Sequence, residues 1–160
     1  MAARASNDSS MIDCRPVADC TCLGLRRVGR MATQIFDAHL LPSALTIGQF
    51  GLLTQIYAHT IAGTPLTMKA LSNAVGMDPT TLNRTLKPLE AEKLIRIAPD
   101  ERDRRARSIA ITSPGRKRLE RAMPLWRAAD QELRKTLGAE TTHALSGMLG
   151  LVTGKLRKSE

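Results

Sequence analysis

Aromatic residues are almost missing from this 160-residue chain, which has one Trp, one Tyr and two Phe: Phe36, Phe50, Tyr57 and Trp126. Four scattered rings cannot build the stacking platforms on which single-stranded nucleic acid is usually held. No apolar run approaches the length that crosses a bilayer, so no membrane partner is expected. The opening residues, MAARASNDSSMIDCRP, lack the apolar stretch of a secretory signal, and residues 1–17 are expected to be a disordered tail. Cysteine is confined to Cys14, Cys20 and Cys22, too close together to staple a domain. A reducing, cytoplasmic location is therefore expected. Catalytic sets are missing too. There is no Ser-His-Asp or Cys-His pattern of a known motif and no phosphate-cradling glycine loop. His39 and His59 have no carboxylate or thiol at ligand spacing. Neither an enzyme, a metal nor a cofactor is expected.

What the chain has is positive charge. Lys and Arg number 24 against 15 Asp and Glu, a formal net charge of +9. That balance points to a polyanionic partner. Duplex DNA, gripped through its phosphates and read by a helix, needs no aromatic residues and fits both observations. Apolar residues make up 42% of the chain, enough for the core of one domain with extra helices.

Helical periodicity dominates. Leu25, Val28, Ala32, Ile35 and His39 recur at spacings of three and four, with Met31, Phe36 and Leu40 beside them, predicting a helix from about Ala18 to Leu40 that Pro42 ends. "TIGQ" has the form of a capping box, with Thr46 and Gln49 satisfying each other's amides at the head of a second helix. Phe50, Leu53, Ile56 and Tyr57 are its apolar stripe, and Gly63 to Pro65 break it. Thr67 is the predicted cap of a short helix over Met68–Val75, with Leu71 and Val75 inward. Gly76 then supplies a turn, Asp78 caps the next helix and Pro79 takes its first position. Two helices meeting across so short a turn have the form of a helix-turn-helix.

The second helix of that pair, "PTTLNRTLKPLEAEKL", sorts its residues sharply. At 100° per residue Leu82, Leu86 and Leu89 share one narrow sector. Opposite them stand Thr80, Arg84 and Lys87, flanked by Thr81 and Asn83, with no acid in the stripe. Hydroxyls, an amide, a guanidinium and an ammonium suit base edges and phosphates in a major groove. Pro88 is expected to kink this helix, because it removes the bond to the carbonyl of Arg84.

In "PDERDRRARSIAIT", four arginines and three acids crowd eight positions before an Ile-Ala-Ile alternation begins. Ile95 and Ile97 predict one face of a strand, Ile109 and Ile111 one face of another, and Pro99 to Ala106 a charged tip between them. Such a hairpin after a helix-turn-helix is a wing. Arg102, Arg104 and Arg105 would reach phosphates or a narrow minor groove, with Asp100 and Asp103 pairing with neighbouring arginines to aim them. Beyond it, "TSPG" starts a long helix carrying Leu119, Met123, Trp126, Leu133 and Leu137, bent at Pro124 and closed by Gly138. A last helix runs from about Glu140 to Leu156. These outer helices carry more apolar surface than a lone winged helix can cover, and a second copy is the expected cover.

With these pieces in order, the chain resembles the MarR (multiple antibiotic resistance regulator) family from about Cys20 to Leu156. The resemblance rests on "LTIGQFGLL", "LTMKALSNAVGMDPTTLNRTLKPLEAEKLI", the wing "DERDRR" and "ITSPGR", with the Asp-x-Arg-Asp-x-Arg pattern at Asp100, Arg102, Asp103 and Arg105. It implies a mainly α fold with a small β-hairpin wing. The winged helix-turn-helix would occupy 46–112, between a dimerisation helix at 18–45 and C-terminal dimerisation helices at 113–160. It also implies a homodimer that binds a pseudo-palindromic operator, usually as a repressor, released by a small molecule or by oxidation. Phe36, His39, Tyr57 and Trp126 are the candidates for a small aromatic effector, with Arg27 or Arg30 for its carboxylate. Cys20 and Cys22 are the redox candidates, since Cys20 could meet its symmetry mate across a two-fold axis. The alternative from another class is a winged-helix scaffold for a protein partner. The acid-free stripe of Thr80, Arg84 and Lys87 speaks against it.

Overall fold

The computed structural model describes residues 14–99 and 107–157. Its elements are α1 (Thr21–Leu40), α2 (Ile47–Ile61), β1 (Leu66–Thr67), α3 (Met68–Val75), α4 (Pro79–Ala91), β2 (Ile95–Pro99), β3 (Arg107–Ile111), α5 (Ser113–Leu137) and α6 (Ala139–Arg157). This is the mainly helical architecture with a small antiparallel sheet that the periodicity predicts. The N-terminal tail expected over residues 1–17 lies outside the described residues up to position 13; Arg15–Val17 forms a 3-10 turn. That turn moves the start of α1 from the expected Ala18 to Thr21, with Cys20 as an extended N-cap residue whose side chain caps nothing.

Local chemistry sets most boundaries. Thr46 Oγ1 accepts from the amide of Gln49 at 3.2 Å and Gln49 Oε1 from the amide of Thr46 at 2.9 Å, completing the capping box. Asp37 Oδ1 accepts from the amide of Ile47 at 2.6 Å, so α1 also holds the head of α2. Thr112 caps α5 by accepting from the amide of Gly115, which puts Pro114 at the second helical position. Two prolines leave their helices uninterrupted: α4 continues past Pro88 to Ala91, and α5 past Pro124 over its full 25 residues. Neighbouring packing outweighs one missing N–H in each case.

The sheet has the order β1-β3-β2. Ile95 pairs with Ile111 and Ile97 with Ile109, which puts the isoleucines on one face as the alternation requires. Sequence reading missed β1, where Leu66 pairs with Ile109 and Thr67 with Ser108. A two-residue strand has no period to detect. The core lies between α2, α4 and this sheet. Leu52, Leu53, Ile56, Leu66, Leu71, Leu82, Leu86, Leu89 and Leu94 are fully buried there, each worth roughly 1.5–3 kcal/mol over an exposed side chain.

The outer helices differ. No residue of α6 is buried, and every residue from Thr21 to Met31 is exposed. Leu23, Leu25, Val28 and Met31 on α1, with Met148, Leu149, Leu151 and Leu156 on α6, leave an apolar surface that the described residues do not cover. No helix among the described residues is long and apolar enough to cross a membrane.

Candidate nucleic-acid interface

The approach to α4 is built by short-range bonds. Thr67 Oγ1 accepts from the amide of Ala70 to start α3. Gly76, at φ 64°, ends it in the left-handed region that a β-carbon disfavours. Ser72 fastens the turn from both sides: its carbonyl accepts from the amides of Gly76 and Met77, and its hydroxyl donates to Met77 O at 2.5 Å. Asp78 Oδ1 then accepts from the amide of Thr81 at 2.9 Å. Thr81, through its hydroxyl and then its amide, holds the Asp78 carboxyl below the usual carboxylate range. A fixed turn and a charged cap therefore aim the head of α4.

Leu82, Leu86 and Leu89 anchor the inner face of α4, so the rest of the helix must face out. Thr80, Asn83, Arg84 and Lys87 are exposed; Thr81 stands half-buried at the flank, where its carbonyl accepts from Thr85 Oγ1. Among the described residues neither Arg84 nor Lys87 has an ion-pair partner. Their charge is free for phosphates or base edges. Sequence reading missed Arg107, which shares a cleft of about 180 Å³ with Asn83, Lys87 and Glu90 at the foot of the hairpin. Its position at the end of the arginine run was the available signal; only the pairing of Arg107 with Pro99 turns it towards α4. Residues 100–106, with Asp100, Arg102, Asp103, Arg104 and Arg105, lie outside the described residues.

The effector candidates are separately engaged. His39 Nε2 lies 2.8 Å from Glu132 Oε2 on α5. Trp126 stacks on Phe50, centroids 6.0 Å apart and planes 12° apart, while the guanidinium of Arg116 lies 5.5 Å over the ring of Tyr57. Phe36 is half-buried on α1, and Arg27 and Arg30 are exposed. Cys20 is half-buried, Cys22 is exposed, and both thiols are free. His59 Nδ1 contacts Thr64 Oγ1 at 3.1 Å, and among the described residues no group of His, Cys, Asp and Glu gathers at metal-binding distance.

Comparison with known proteins agrees with this geometry. A family model described as MarR family matches residues 45–106, from the end of the α1–α2 corner into the hairpin. Curated protein sequences give no match. Among solved structures, the Mycobacterium tuberculosis transcriptional regulator MosR in complex with DNA is 31% identical, with a TM-score of 0.72 over 87% of this chain and 99% of that one. A Staphylococcus aureus MepR–DNA complex is 25% identical, with a TM-score of 0.72 over 85% and 98% of the two chains. A mutant Escherichia coli MarR complexed with operator DNA, at 24% identity and a TM-score of 0.71 over 82% and 94%, shows the same fold. With an outward stripe of Thr80, Arg84 and Lys87 on α4 that carries no acid, a hairpin beside it and a relative 31% identical over almost its whole length, this chain belongs to the MarR family of winged helix-turn-helix regulators.

Proposed function

We propose that the protein is a homodimeric, sequence-specific transcriptional regulator of duplex DNA, acting as a repressor at a pseudo-palindromic operator. The carrying observation is the outward face of α4, where Thr80, Asn83, Arg84 and Lys87 stand exposed with no carboxylate among them. On this reading α4 lies in the major groove, Arg84 and Asn83 meet base edges, and Lys87 and Arg107 meet phosphates. Arg102, Arg104 and Arg105 reach the neighbouring groove from the wing, oriented by Asp100 and Asp103. The uncovered apolar faces of α1 and α6 support the second copy, which sets two reading helices about one turn of DNA apart. On this reading the protein works on chromosomal DNA in the cytoplasm. The family resemblance supports release by a small aromatic anion, with oxidation of Cys20 or Cys22 as the other route.

The test is a binding titration against the DNA flanking the protein's own gene. Affinity should fall about 10³-fold between roughly 50 and 200 mM salt if six or more phosphates are neutralised. Binding that survives high salt, or that ignores sequence, would sink the reading. Phenolic acids and peroxide added to the same titration separate a ligand-driven release from oxidation of the accessible Cys20 and Cys22.

A further inference from the structure

A reading helix is useful only at the right angle to the body that carries it. In this chain α4 reaches the body through its C-terminal end. There Lys93, at φ 57°, turns the chain into β2. Thr112 Oγ1 donates to the carbonyls of Lys93 at 2.6 Å and Leu94 at 3.0 Å, which fastens the head of α5 to that turn. Nearly two helical turns further along α5, Arg118 reaches back. A single terminal nitrogen, Nη1, donates to the carbonyl of Ser43 at 3.1 Å and stands 3.2 Å from Glu92 Oε2.

These two partners belong to different parts of the molecule. Glu92 is the C-cap residue of α4. Ser43 is the last residue of the 3-10 turn that joins α1 to α2; it is buried, and its own hydroxyl donates to the carbonyl of the fully buried Leu40 at 2.6 Å. One guanidinium therefore ties the end of the reading helix, the α1–α2 corner and the long helix α5. Beside the clamp a cleft of about 470 Å³ opens between the corner and α5, lined by Pro42, Ala44, Arg121 and Leu125 as well as Ser43 and Arg118. Across that cleft Arg118 links the corner by a hydrogen bond to Ser43 O and the end of α4 by an ion pair with Glu92. The side chain of Arg118 is 22% exposed and that of Glu92 47%, so solvent screens the pair only in part.

We propose that Arg118 is the positioning residue that sets the angle of α4 to the α1–α5 body and, through it, the half-site spacing the protein accepts. This rests on the paired-lobe reading above. Arg118 touches no DNA on this account; it acts through Glu92 and Ser43. A residue that merely stabilised the fold would weaken binding to every operator alike. A positioning residue changes the ratio between operators.

The experiment uses the full chain, its operator, and duplexes in which the centre is lengthened or shortened by one and two base pairs. The variants are Arg118→Met, which keeps an apolar stem, and Glu92→Gln, which keeps the shape and removes the charge. The wild type should favour one spacing steeply. In Arg118→Met that preference should shrink about tenfold, the scale of one charge-assisted hydrogen bond, and in Glu92→Gln by a smaller factor. Unchanged spacing ratios in both variants would overturn the proposal, even if overall affinity dropped. If Arg118→Met does not fold, Glu92→Gln decides alone, because a half-exposed carboxylate is dispensable for folding. A wild type indifferent to spacing would instead refute the paired-lobe reading, and the clamp with it.

Discussion

Gly115 tests the junction between the DNA-reading lobe and the body most directly. It lies in the first turn of α5, and a β-carbon built there would fall 2.0 Å from Leu94 O, 2.9 Å from Leu94 C and 2.8 Å from Ile111 Cγ1. Two of those three atoms are backbone, so no side-chain rotation relieves the clash. Leu94 O is also engaged already, accepting from the amide and the hydroxyl of Thr112, each at 3.0 Å. Gly115→Ala must therefore push α5 off the α4–β2 turn. Overpacking of this kind costs roughly 1–3 kcal/mol, and loosening two hydrogen bonds adds about 1 kcal/mol apiece. We expect a loss of roughly 3–5 kcal/mol, a fall of about 10 °C in melting temperature. The same substitution at Gly51, inside α2 with nothing within 4 Å of the added carbon, should instead stabilise by about 0.5–1 kcal/mol. Both variants are melted at one protein concentration, because association couples to stability. A Gly115→Ala protein within about 0.5 kcal/mol of wild type, the usual range of a neutral surface change, would refute the reasoning.

Three further outcomes follow. Arg84→Ala should relax base preference by about 1–3 kcal/mol at one operator position, whereas Arg107→Ala should weaken binding to all sequences and lower the salt slope by about one, both read in a fluorescence titration. Met31→Glu on the uncovered face of α1 should leave the far-ultraviolet spectrum of the helices intact while halving the mass in light scattering; an unchanged mass would show that this face is not where the copies meet. Asp78 gives a pH signature. Its folded-state pKa is depressed, so its capping contribution is complete above the unfolded value and is lost as pH falls through the folded one. Asp78→Asn should melt with a shallower acid dependence than wild type below about pH 4, and identical acid limbs would remove this carboxylate from the account.

Most of the helix ends are legible because they are decided within one turn. Thr46 with Gln49, Thr67 with Ala70, Gly76 and Asp78 each act on neighbours three or four residues away, so a short window of sequence contains both partners. The outward stripe of α4 is legible for the same reason: once Leu82, Leu86 and Leu89 point inward, helical geometry leaves Thr80, Arg84 and Lys87 nowhere to go but out. Pro88 and Pro124 end neither helix, because the penalty each carries is local while the packing that absorbs it is not. The ring partners of the effector candidates are not legible: Tyr57 lies beneath Arg116 and Trp126 against Phe50, residues far apart in the chain.

Composition, charge and periodicity thus dictate a basic helical reader with a hairpin at its side, since burial pattern and capping depend only on which residues stand a few places apart. The folded chain alone decides how that reader is mounted. Arg118 meets a carbonyl 75 residues away, and Gly115 lets α5 lie against Leu94. Contacts of that kind arise from where packed elements bring distant backbone atoms together, and no pattern along the chain encodes the distance between them.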